Sequence, residues 1–127
     1  MLIKNIYIIS LIYLTIMAQP FLDYRTLLIF GEEDNNVAVS KQTQLLHQNM
    51  EGVIERSLKI ILVKNESNLW VKYKIPAGSF ALLLIGKDGT EKFRSDQPVT
   101  TEKIFAIIDA MPMRKAEIKN KGNKTDF

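Results

Sequence analysis

The apolar positions of the chain fall into short runs and one helical stripe. Residues 80–85 are six consecutive apolar residues, too short for a core helix and too uniform for a half-exposed strand, so they predict a strand buried on both faces. Asp88-Gly89 follows and tolerates positive φ, which predicts a tight hairpin into residues 91–95, whose charges suit a sheet edge. After Pro98, Thr100 or Thr101 can cap a helix on which Ile104, Phe105, Ile107, Ile108 and Met111 share one face, with Pro112 as its stop. Earlier, residues 27–30 and 58–63 read as strands. Between them Leu45, Leu46, Met50, Val53 and Ile54 recur at helical spacing over residues 39–56, with Gln42, Gln44, Gln48, Glu51 and Glu55 on the polar side. A strand-helix-strand unit of this kind needs a parallel pair and a right-handed crossover. Residues 69–75 are ambiguous: Val71, Tyr73 and Ile75 alternate with Lys72 and Lys74 as in a strand, while seven residues before Pro76 also suit a short helix.

These elements assemble into an α/β domain with a four-stranded mixed sheet flanked by helices. The 27–30 and 58–63 strands run parallel, the 80–85 strand is antiparallel to the first, and the 91–95 strand lies at an edge. Strand, hairpin, strand and helix in that order form the second half of a thioredoxin-like fold. At 127 residues there is room for one such domain. Residues 1–18 have a separate character: Lys4, an apolar run from Ile6 to Met17, and Ala18 before Gln19 are the layout of a secretory signal peptide. That layout predicts a mature chain beginning at Gln19, secreted or periplasmic, with no stable membrane anchor after cleavage. The domain then spans residues 19–114.

Charge changes the picture only at the far end. The net charge is +3, and residues 114–127 supply it with Arg114 and four lysines against Glu117 and Asp126. With almost nothing to bury, residues 115–127 predict a basic disordered tail. Lacking interleaved aromatics, the tail is a solubilising terminus, and no nucleic-acid partner is expected.

Candidate chemistry is thin. There is no cysteine, which excludes disulfide exchange, thiol peroxidase activity and thiolate metal sites. The one histidine, His47, lies off the apolar stripe. Residues 32–34 are acidic, but they lack calcium-loop spacing and feed a helix, so they read as a solvated loop. No metal, cofactor or catalytic residue is expected. Asn65-Glu66-Ser67 and Asn123-Lys124-Thr125 match the glycosylation sequon. Asp109 stands out because it sits near a helix C-terminus, where the dipole opposes its ionisation. Arg114 and Arg94 are its expected partners, and Arg94, Asp109 and Arg114 form the candidate functional or structural cluster.

Two stretches carry a resemblance: Pro76-Ala77-Gly78-Ser79-Phe80 through Gly86-Lys87-Asp88-Gly89, and Phe105-Ala106-Ile107-Ile108-Asp109-Ala110-Met111-Pro112-Met113-Arg114. Over residues 24–117 the chain resembles a family of unknown function. That family occurs as small exported bacterial proteins and as domains of extracellular sushi-repeat-containing proteins and a coiled-coil-domain-containing matrix protein. The resemblance implies a thioredoxin-like or peroxiredoxin-like fold without an established activity, and it implies a short helix over residues 69–73. Where redox thioredoxins carry a cysteine pair, this chain has Glu32 to Asn36; where they carry a cis-proline, it has Phe80. Function is therefore expected to be that of an exported non-redox module binding an unknown protein or extracellular polymer, or acting as a stress-related factor of the cell envelope. The alternative is an enzyme using a pocket near Asp109, Arg94 and Arg114.

Overall fold

Strand β1 (Arg25–Phe30) is buried along its whole length because it has a neighbour on each side. It runs parallel to β2 (Leu58–Leu62) and antiparallel to β3 (Ala81–Ile85), with β4 (Glu91–Ser95) beyond, in the order β2-β1-β3-β4. The computed structural model describes residues 22–32 and 36–124. The signal-peptide reading and the acidic positions 33–34 lie outside the described residues.

The mixed α/β sheet follows the expected strand directions. Alternation along β1 separates two cores. Leu27 and Ile29 pack with Leu46, Val53, Leu82, Ile104 and Ile108 on one face, and Leu28 and Phe30 with Trp70, Ile75 and Leu83 on the other. Each fully buried aliphatic side chain contributes about 1.5–3 kcal/mol relative to exposure. The first face is covered by helices α1 (Val37–His47), α2 (Met50–Glu55) and α4 (Thr101–Asp109). Thr100 caps α4 by accepting from the Lys103 N–H at 3.3 Å.

Three expectations are corrected, and one left open is resolved. The single helix over residues 39–56 is two. It starts early, at Val37, because Asn36 Oδ1 accepts from the Ala38 and Val39 amides, and it breaks at Asn49, whose Nδ2 donates to the Leu45 carbonyl and competes with the helical ladder. The 69–75 segment, open between strand and helix in the sequence, is the short helix that the resemblance implies: α3 (Leu69–Lys72) turns so that the Trp70 indole N–H donates to the Lys64 carbonyl and its ring meets Phe30 edge-on at 5.0 Å. Gln42 is fully buried rather than on a polar face, donating to the Val99 carbonyl and accepting from its N–H. Finally, the expected disordered tail is helix α5 (Pro112–Lys124). Pro112 does stop α4, but it also opens α5, since a proline in a first turn loses no hydrogen bond. Residues 125–127 lie outside the description.

Among the described residues, no helix is long and apolar enough to cross a membrane.

Candidate functional site

Asp109, the last residue of α4, shows how its carboxylate is tolerated against the helix dipole. Arg114 Nε donates to Oδ1 at 3.1 Å, while Arg56 donates from Nε to Oδ1 at 3.0 Å and from Nη2 to Oδ2 at 2.8 Å. The Arg56 hydrogen bonds, opposed by burial and helped by Arg114, hold the Asp109 carboxyl below its usual range. Burial alone would lower the Arg114 pKa, but Asp109 and Glu55 outweigh it and raise it. Of the two arginines expected beside Asp109, only Arg114 is there. Arg94 instead donates to Glu91 on its own exposed strand at 2.7 Å, because β4 lies at the sheet edge, away from the end of α4.

The cluster also contains residues that the sequence does not flag. Arg56 caps α2, donates to the Gly52 carbonyl and stacks 4.0 Å over the Phe105 ring. Gly52 makes this possible, since a Cβ there would lie 2.5 Å from the ring. Glu55 accepts from Arg114 Nη2 at 3.0 Å. One turn along α5, Glu117 accepts from Arg25 at 3.1 Å and from Lys87 at 2.7 Å. Burial pushes the Glu117 pKa up, yet Lys87 and Arg25 prevail and lower it. Arg25 opens β1 on the Leu27/Ile29 face; an arginine beginning an otherwise apolar strand is the signal that could have found it. These side chains gather at the sheet end where β1 and β2 start, opposite the end at which β1 reaches Phe30.

Both oxygens of Asp109 are taken by guanidinium groups, so the cluster ties α2, α4 and α5 together. Three hydrogen bonds occupy most of the acceptor capacity of this carboxylate and lower its proton affinity. His47 is exposed on α1.

A second region has the opposite character. The Arg25 N–H donates to the Ser57 carbonyl and the Val63 N–H to the Ile29 carbonyl. Odd-numbered residues of β2 therefore serve the ladder to β1, and Leu58, Ile60 and Leu62 turn their N–H and C=O groups outward. Beside this open edge a shallow groove lined by Thr43, His47, Met50 and Ile60 continues into a wider one of about 670 Å³ that reaches Leu62. Leu62 is 48% exposed. The opposite edge, β4, carries Glu91, Lys92 and Arg94 and a register irregularity at Leu84/Ile85.

The sequence profile of a family described as "Domain of unknown function (DUF4174)" matches residues 64–117, ending on Glu117. No curated protein matches the chain. Among solved structures, the chain is similar to the reduced 2-Cys peroxiredoxin of Plasmodium vivax, at 14% identity over 76% of this chain and 82% of that one, with a TM-score of 0.62. It is also similar to thioredoxin-2, a component of the malaria parasite protein secretion machinery, at 18% identity over 69% and 84% of the two chains, with a TM-score of 0.56. A third similar structure is described as a malarial protein, at 19% identity over 68% and 96%, with a TM-score of 0.55. At such identities the likeness speaks for fold alone. The chain is thus an α/β protein of thioredoxin-like fold whose residues 64–117 match a domain of unknown function.

Proposed function

We propose that this protein is an exported, non-catalytic module that binds an extended segment of another protein along the β2 edge. The observation that carries the reading is the contrast between the two edges. Natural sheets protect free edges with charge, bulges or proline; β4 has charges and an irregular register, whereas β2 offers Leu58, Ile60 and Leu62 with a single lysine, Lys59. An added strand would satisfy the outward backbone groups, and the groove beside His47 and Met50 would take its alternate side chains. Export and a secreted or periplasmic location rest on the signal-peptide layout of residues 1–18. The enzyme alternative is weakened because Asp109 is engaged by both Arg56 and Arg114, and Arg94 stands apart.

The reading is tested by placing a photoreactive side chain at position 62, or at position 94 as control, and irradiating the protein in its native envelope. A discrete protein adduct from position 62 and none from position 94 is expected. Equal labelling from both positions, or none from 62, would refute the proposal.

A further inference from the structure

A cavity of about 540 Å³ opens between the α4–α5 elbow and the β3–β4 hairpin, within the usual range for small-ligand sites. Its wall is apolar: Ile107, Ala110, Met111, Pro112 and Met113 from the elbow. Its charged lining is graded in depth. Arg25 is 1% exposed, the Lys87 side chain 15% and the Lys92 side chain 35%, so cations run from the deep end to the mouth. Their partners are fewer than they are. Glu117 serves both Arg25 and Lys87 and lies 3.6 Å from Arg114 as well, and Asp88 serves Lys92 at 2.7 Å. Three cations share two carboxylates, leaving one positive charge in excess. Arg25 also has an Nε that is buried without a hydrogen-bond partner, an uncommon and costly condition for a cation of that depth.

The geometry points to a binding site for a small amphipathic organic monoanion, an aliphatic carboxylate, with its head toward Arg25 and Lys87 and its chain along Ile107, Met111 and Met113. A neutral alkane chain would gain the wall but leave the excess charge unanswered. A dianion would exceed it. A cationic amphiphile would be repelled. This site lies apart from the β2 edge, so it stands whether or not that edge binds a protein segment.

Full-length protein with ¹³C-methyl methionine is titrated at low salt with submicellar decanoate, 1-decanol and decyltrimethylammonium. Decanoate is expected to shift the Met111 and Met113 methyl signals, leave Met50 in place, and bind at least tenfold more tightly than decanol. Arg25 is too buried to replace safely, so two outer positions carry the test. Ala110→Trp, at an exposed position on the wall, should abolish the shifts, and Lys87→Gln, which removes the excess charge, should erase the preference for decanoate over decanol. Equal binding of decanoate and decanol to the unaltered protein would mean apolar adhesion only and would overturn the proposal. So would unmoved Met111 and Met113 signals, or an Ala110→Trp protein that binds decanoate as before.

Discussion

Arg25 and Arg114 are buried to nearly the same depth and flank the same helix, yet they are held in different ways. Arg114 spreads its guanidinium over three carboxylates and a backbone carbonyl: Nε to Asp109, Nη2 and Nη1 to the side chain and carbonyl of Glu55, and Nη1 also 3.6 Å from Glu117. Arg25 leans on one carboxylate, Glu117, and the Arg56 carbonyl. The Glu55 and Asp109 side chains are 49% and 36% exposed and keep contact with water, and Arg56 stays beside Asp109 whatever Arg114 does. The difference teaches that redundancy, more than depth, decides how exposed a buried cation is to the loss of one partner.

The comparison is sharpened first by removing the sole partner. Glu117→Gln leaves Arg25 as a buried charge without a counter-ion and should destabilise by about 3–5 kcal/mol in chemical denaturation, the range for breaking one side of a buried pair. Asp109→Asn leaves Arg114 with Glu55 and Glu117, so about 1–3 kcal/mol is expected by the same measurement. If Asp109→Asn costs as much as Glu117→Gln, the account based on redundancy is broken.

Acid titration separates the same two arms. Asp109 and Glu117 both have lowered pKa values in the folded chain, against ordinary values of 3.8 and 4.5. Their stabilisation is fully present above those ordinary values and disappears as the pH falls through the lowered ones, because only the unfolded chain takes up protons readily in that window. Stability followed from pH 6 downward should therefore fall below about pH 4.5, and Glu117→Gln should flatten that fall. A wild-type profile that stays level in this window would contradict both pairings. The smallest effect is expected at Arg94: its pair with Glu91 is exposed on both sides, so Arg94→Gln should change stability by less than about 0.5 kcal/mol.

What could be read from the sequence was whatever depends on near neighbours along the chain. The apolar runs at β1, β2 and β3 and the stripe of α4 appear in the fold because period and burial are local signals. Asn49 was not legible as a break, since an asparagine inside a helical pattern ends it only where its side chain takes a backbone carbonyl. Gln42 reads as a polar-face residue because its partner, Val99, is remote in sequence. Helix α5 is hidden in the sequence for a related reason. Its composition has little to bury, and it is held by Arg114 and Glu117 through Glu55, Arg25 and Lys87, partners that no window along the chain contains. Asp109 was legible through the helix dipole, and so was one arginine; Arg56 was not, because only the bare Gly52 lets it settle against Phe105.

The clasp between Gln42 and Val99 has a kinetic consequence. Val99 lies outside every helix and strand, in the loop that leads into α4, where backbone amides ordinarily exchange with solvent deuterium quickly. Its N–H, however, is buried and donates at 2.7 Å to a side chain from the middle of α1, and its carbonyl is held by the same amide. Opening that hydrogen bond requires α1 to withdraw from the face it shares with α4. The Val99 amide should therefore exchange on the timescale of the sheet interior, so that a loop proton reports the separation of two helices.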